Sequence, residues 1–144
     1  MNYRIEKNKI FIKIAQNEFI NKSFEKLAES NNIGCAWING LGAIQNPEVG
    51  YYSISKKSYC KNIFSGDYEL LSLIGNISMK DGKHFSHTHI TFSDTNYRVF
   101  GGHLFDAKVT AAGEFIMLPG NKNINREMNA NIGLPLWCLE GKVE

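Results

Sequence analysis

The sequence predicts an α+β fold, in which a largely antiparallel sheet or open barrel has one main helix packed against it. Most apolar runs are short and lie between turn-forming residues, which is typical of strands. A single segment has helical spacing instead. The length of 144 residues is ordinary for one domain, so we expect residues 1–144 to form a single domain.

The helical segment is recognised by an apolar stripe with spacings of i, i+4, i+7 and i+8. Asn17 is in position to cap the start of this helix, and residues 31–34 are suited to end it. The stripe consists of Ile20, Phe24, Leu27 and Ala28.

Short strands are predicted on both sides of this helix. Residues 3–6 and 9–14 are expected to pair as a hairpin. Asp81-Gly82 predicts a second hairpin turn, because these residues readily adopt positive φ angles. The polar residues 121–131 are expected to be the longest loop. The other predicted strands are residues 35–39, 50–55, 59–64, 68–79, 84–92, 98–100, 108–111, 114–118 and 136–139.

Charge and cysteine content narrow the function classes. The net charge is only +2 and the cations are scattered, which gives little support to binding of a phosphate backbone. Cys35, Cys60 and Cys138 form no CxxC pair, which disfavours a disulfide framework or a thiolate zinc site. No signal peptide or membrane-length apolar run is seen, so we expect a cytoplasmic protein without a membrane partner.

Three histidines are the candidate metal ligands. His87 and His89 lie two apart on a predicted strand, so both imidazoles project from the same face, with backbones about 6.6 Å apart. His103 follows Gly101-Gly102, where a bend is expected, and could supply the third nitrogen. His84 has the opposite parity and is interpreted as an exposed surface residue. The alternative for the other three is histidines hydrogen-bonded in a polar cleft.

An all-imidazole site predicts one divalent metal ion per chain. Zinc is the first candidate, although iron, nickel and copper also suit such ligands. Three protein ligands leave a position for water or a small anionic ligand, as in catalytic zinc sites. A cupin is a minor alternative, since Asp94 stands five residues after His89 but no second histidine motif follows His103.

Five motifs follow one another along the chain: Trp37-Ile38-Asn39-Gly40-Leu41-Gly42-Ala43, Val49-Gly50-Tyr51-Tyr52, Gly66 to Ile77, His87-Thr88-His89 and Gly101-Gly102-His103-Leu104. In this order they resemble the motifs of the prokaryotic branch of the PPC (plants-and-prokaryotes conserved) domain family. The resemblance implies a compact α+β fold, a homotrimer, and a metal ion at His87, His89 and His103. Asp67 stands where the family motif usually has arginine.

The same resemblance leaves the function open between three classes. Family naming implies a DNA-associated or regulatory protein, although this sequence contains no AT-hook. The open three-histidine site favours a metal-dependent enzyme or a small-ligand sensor. An oligomerisation module with a structural ion is the third class. Glu69, Asp94 and Tyr97 are the nearest candidates for a general base, but each is more simply explained as a surface or core residue.

Overall fold

The computed structural model of the protein describes residues 1–141, which form nine strands and one helix. The strands are β1 (Asn2–Glu6), β2 (Lys9–Ile14), β3 (Ala36–Ser53), β4 (Ser58–Ile63), β5 (Asp67–Lys80), β6 (Lys83–Ser93), β7 (Val99–Pro119), β8 (Asn125–Asn129) and β9 (Leu134–Cys138). The helix is α1 (Ile20–Ser30).

Four of the strands close into a barrel. β3 pairs with β5 on one edge and β7 on the other, and β6 pairs with both β5 and β7. The barrel is lined by buried apolar residues that include Ile38, Leu73, Ile77, Ile90 and Leu104. The sequence predicts a sheet or an open barrel, whereas this barrel is closed, with β1–β2 and β8–β9 attached as hairpins on its outside. With nine strands and one helix among residues 1–141, the α+β label fits only loosely.

The sheet is mixed rather than plainly antiparallel, which corrects the expectation from sequence. β8 runs parallel to β5, with Met79 opposite Asn125, whereas every other strand pair among residues 1–141 is antiparallel. Residues 121–131 are also not one long loop, because they contain β8. This strand was missed because only Ile124 and Met128 are large apolar residues there, so the segment shows no apolar alternation.

The strands predicted as separate pieces are joined in β3 and β7. Irregular pairing, such as the register shift between Gly40 and Gly42 where β3 pairs with β5, absorbs the glycines without ending the strand. Gly101 and Gly102 do not bend the chain as expected, since they pair with Thr91 and Ile90 inside β7. A Cβ at Gly101 would lie 2.6 Å from the Ile90 carbonyl oxygen, so glycine permits a close approach of strands there.

The predicted helix and both hairpins are confirmed. Asn31 is the C-cap of α1, but Asn17 is not its N-cap; Phe19 holds that position without a side-chain hydrogen bond. Asp106 of β7 instead accepts a hydrogen bond from the Asn21 amide at 3.0 Å, in the first turn of the helix. The cap is thus supplied by a residue distant in sequence, which a local capping rule does not detect.

Helix α1 packs against the point where β6 and β7 separate, which we call the β6–β7 fork. Their pairing ends at Thr88 and Leu104, and beyond that point each strand follows a different neighbour. Asn21 fills the fork: its side-chain amide donates to the carbonyls of Leu104 and Phe105 at 3.1 and 3.0 Å and accepts from the Thr88 hydroxyl at 2.7 Å. Glu25 accepts from the amide and hydroxyl of Ser86. The helix therefore satisfies strand groups that would otherwise lack partners.

Candidate metal centre

The three histidines converge on the outer face of the barrel. On β6 the even-numbered neighbours Thr88 and Ile90 are buried, so His87 and His89 point outward together. His103 of β7 lies directly opposite His89 in the ladder. One nitrogen from each ring can be chosen such that all three lie within 4.8 Å of one another. The two-residue spacing places His87 and His89 on one face of β6, and the register between β6 and β7 places His103 beside them.

Burial keeps these rings neutral near neutral pH. Desolvation is the main factor that lowers the pKa of His87 to about 4, and the positive charge of Arg126 lowers it further. Desolvation, followed by the neighbouring His87 and His89, likewise lowers the pKa of His103 to about 4. The pKa of His89 is also lowered by burial. Neutral imidazoles have the lone pairs that metal coordination requires.

One nitrogen of the cluster has no protein partner. His103 Nδ1 is buried and makes no hydrogen bond with the described residues. A buried polar atom without a partner is costly, and at a functional site it is typically satisfied by an ion or a ligand. Three neutral imidazoles with such an atom among them fit a divalent metal ion of the zinc type.

The cluster lies at the wall of a cavity of about 810 Å³. Tyr59 of β4 stacks on His103 with ring centroids 4.8 Å apart, and Phe105 meets the same ring edge-on at 5.0 Å. These aromatic contacts restrict the orientation of His103. Lys61 lies over Phe105 at 3.6 Å and pairs with Glu48 at 3.1 Å, at the side of this aromatic group.

Arg126 of β8 is the cationic residue nearest the histidines. Its Nη2 lies 3.2 Å from His87 Nδ1 and donates to Asn76 Oδ1 at 2.9 Å. Its Nε donates to Ser78 Oγ at 2.7 Å, and Nη1 donates to the Pro135 carbonyl at 2.9 Å. Burial lowers the pKa of Arg126 from its usual value, although arginine stays protonated. The β8–β9 hairpin therefore places a fixed positive charge beside the cluster.

The other sequence candidates lie elsewhere. Asp94 accepts from Arg98 and from turn amides, and Tyr97 is 87% exposed with a positive φ of 62° in the same turn. Glu69 is exposed on β5 opposite Ser93. None of these three is among the described residues that line the cavity. His84 is outside the cluster as predicted, but it is half-buried rather than exposed.

Sequence reasoning missed Tyr59 and Arg126. Tyr59 reaches His103 because β4 folds back on β3, and nothing in its local sequence marks that contact. Arg126 is the only arginine in the polar, asparagine-rich stretch 121–131, which is the one signal that could have singled it out.

The fold and site together define a class: a closed β-barrel with an outward-facing histidine triad beside a ligand-sized cavity. The profile of the Plants and Prokaryotes Conserved (PCC) domain matches residues 1–119. The chain therefore belongs to this family, which is the PPC family that its motifs resemble. No curated protein matches the sequence significantly.

Solved structures of prokaryotic proteins are similar over nearly the whole chain. A PPC protein from Pyrococcus horikoshii is 33% identical with a TM-score of 0.86, covering 99% of this chain and 97% of its own. A metal-containing protein from Archaeoglobus fulgidus is 32% identical with a TM-score of 0.85, covering 96% and 97%. A candidate DNA-binding protein from Bacteroides thetaiotaomicron is 29% identical with a TM-score of 0.93, covering 97% and 98%.

Proposed function

We propose that this protein is a metal-dependent binding protein that holds one divalent ion per chain, zinc first, at His87, His89 and His103. The observation that carries the proposal is the convergence of three neutral imidazoles around the unpartnered His103 Nδ1. The similarity to a metal-containing archaeal protein supports it. When bound, the ion supplies a concentrated positive charge and an open coordination position for an anionic or carbonyl oxygen.

The surrounding residues favour ligand binding over catalysis. A cavity of about 810 Å³ is within the usual range for small-molecule sites, roughly 300–1,000 Å³. The carboxylates among its described lining residues are Glu25 and Asp106. One oxygen of each, Oε1 of Glu25 and Oδ1 of Asp106, accepts hydrogen bonds that hold the helix to the strands, which favours a structural role over that of a general base. We therefore infer a small-ligand sensor or regulatory protein, with a metal-dependent enzyme as the alternative.

A DNA-associated role is a second candidate. It is favoured by the description of the Bacteroides relative as a candidate DNA-binding protein. The net charge of +2 argues that tight binding to duplex DNA would need a partner or a ligand-induced change. Fluorescence anisotropy with labelled duplex DNA at physiological salt tests this role, and tight sequence-selective binding by the protein alone would establish it.

We also propose that three copies assemble into a homotrimer. An outer apolar face is formed by residues that share one side of β3, β5 and β7 and are 43–55% exposed: Trp37, Leu41, Ile74 and Leu118. Leu71 and Ile74 of β5 are 49% and 50% exposed, so this apolar strand is not fully covered within one chain. Light scattering should give a trimer mass, and Trp37→Glu should dissociate it. A monomeric wild-type protein at micromolar concentration contradicts the assembly.

The compartment proposed is the cytoplasm. Cys60 and Cys138 are exposed and unpaired, which suits a reducing environment.

Metal analysis of the purified protein tests the main proposal. Wild-type protein should hold about one zinc ion per chain after loading and desalting. His87→Ala and His103→Ala should lose the ion and keep a folded circular dichroism spectrum, because the apolar core does not depend on the site. His84→Gln is the matched control, since His84 lies on the same strand outside the cluster. Full zinc content in the double variant His87→Ala/His89→Ala would refute the assignment.

A further inference from the structure

Within residues 1–141, the Arg126 guanidinium is a charge without an ionic partner. Among the described residues, no carboxylate forms a salt bridge with it. Its hydrogen bonds go to neutral groups, and its Cζ lies over the rings of Phe85 and Trp137, 5.3 and 5.9 Å from their centroids. A half-buried cation is usually paired, so an isolated one that lines a cavity calls for an anion from outside the chain.

Metal binding at the histidines would increase the requirement of Arg126 for an anionic partner. A guanidinium only donates, so its contact with His87 requires an unprotonated Nδ1. A metal ion on Nδ1 would displace the contact, and an ion on Nε2 of the neutral ring would leave the proton on Nδ1. In either case Arg126 loses an acceptor. It also comes to lie beside a second positive charge.

Some N–H groups of Arg126 remain available to a ligand. Arginine has five N–H groups. Ser78, Pro135 and Asn76 each accept from one, and His87 from a fourth. With His87 bound to metal, two N–H groups, one on each terminal nitrogen, have no acceptor in the described contacts. Two donors on a planar fork match the two oxygens of a carboxylate.

We propose that Arg126 binds the carboxylate of a small organic acid in the cavity beside the histidines. This rests on the proposed metal function and names its ligand class. The cavity walls contributed by Tyr52, Tyr59, Phe85, Phe105 and Leu136 are aromatic or apolar, so they suit the carbon body of such an acid. The metal ion and Arg126 together supply the positive charge that selects an acid over its neutral analogue.

The test compares carboxylates with neutral molecules of the same shape. Zinc-loaded wild-type protein is titrated calorimetrically with acetate and benzoate, with acetamide and benzamide, and with inorganic phosphate. We expect the acids to bind and the amides not to bind. Arg126→Gln should weaken binding of the acids by about ten- to a hundredfold, the scale of charge-assisted hydrogen bonds. Arg4→Gln is the matched control, since Arg4 is an exposed arginine of β1 paired with Glu6.

The outcomes separate this inference from the metal proposal. Failure of wild-type protein to take up zinc refutes the metal site itself. Normal zinc uptake with equal affinity for acids and amides, or with phosphate binding alone, refutes only the role of Arg126. Arg126→Lys is measured in parallel, because glutamine could loosen the β8–β9 hairpin. Lysine retains the charge but loses the fork, so we expect weaker acid binding; unchanged affinity in a folded lysine variant contradicts the proposal.

Discussion

Tyr59 and His103 are stacked, with ring centroids 4.8 Å apart and planes inclined by 30°. One ring comes from β4 and the other from β7, and both strands pair with β3. The stack holds the histidine that carries the unpartnered nitrogen, so Tyr59 is a positioning residue for the candidate metal centre.

Removing this stack should weaken metal binding. We expect Tyr59→Ala to lower zinc affinity by about tenfold, at the low end of the effects seen for residues that orient metal ligands. Tyr59→Phe keeps the ring and should bind zinc like the wild type. Competition titrations with a chelator measure both. Tyr97→Ala, at an 87% exposed position, is the control, and equal affinities of Tyr59→Ala and wild type would show that the stack does not position His103.

Arg126 should oppose metal binding when no acid is present. It donates toward His87 Nδ1 at 3.2 Å and adds positive charge next to the ion. We expect Arg126→Gln to bind zinc several-fold more tightly than wild type in a buffer free of carboxylates, as measured by chelator competition. Added benzoate should tighten zinc binding more in the wild type than in the variant, because the variant binds the acid more weakly. Weaker zinc binding in a folded Arg126→Gln would mean that the arginine supports the ligands instead.

The metal-free protein should lose stability as the pH falls below neutrality. His87 and His103 have pKa values of about 4 when folded, against 6.5 for ordinary histidine. Between these values the unfolded chain binds more protons, so lowering the pH favours unfolding. Urea unfolding at about pH 7 and about pH 4.5 should differ by roughly 1–2 kcal/mol from these groups, which is below the full shift because solvent screens the partly exposed rings. His103→Gln should reduce this difference in the free energy of unfolding, and an equal difference in the variant and the wild type would contradict the prediction.

Local patterns in the sequence are sufficient to predict the helix, one turn and part of the candidate site. The helix stripe from Ile20 to Ala28 and the phase of His87 and His89 depend only on the periods of helix and strand. The turn at Asp81-Gly82 follows from residues that tolerate positive φ, and both have it. These features need no knowledge of which strands become neighbours.

Features that depend on distant contacts were not predicted. Arg126 meets Asn76, Ser78 and His87 across separations of 50, 48 and 39 residues. Its strand β8 carries no apolar alternation, so its pairing with β5 left no periodic signal. The sequence alone predicts a bend at Gly101-Gly102, because glycine permits one. In the structure, the space beside the Ile90 carbonyl is what requires glycine at position 101.

Contacts at the β6–β7 fork should affect both the stability of the fold and the zinc affinity of the three histidines. Asn21 satisfies the carbonyls of Leu104 and Phe105 and the hydroxyl of Thr88, all from a buried position. Asn21→Ala leaves these groups without partners, and we expect a loss of about 2–4 kcal/mol in the free energy of unfolding. Leu104 is adjacent to His103 and Thr88 lies between the two histidines of β6, so zinc affinity should fall as well.

A double-mutant cycle measures the coupling between Asn21 and Thr88 at the fork. Thr88→Val removes the hydroxyl that Asn21 accepts from, so Asn21→Ala and Thr88→Val should be non-additive in chemical denaturation by about 0.5–3 kcal/mol. Asn62→Ala is the control, because Asn62 is exposed on β4. If Asn21→Ala lowers stability but zinc affinity is unchanged, the fork supports the barrel alone, and the geometry of the histidines is set by the β6–β7 ladder between Thr88 and Ser93.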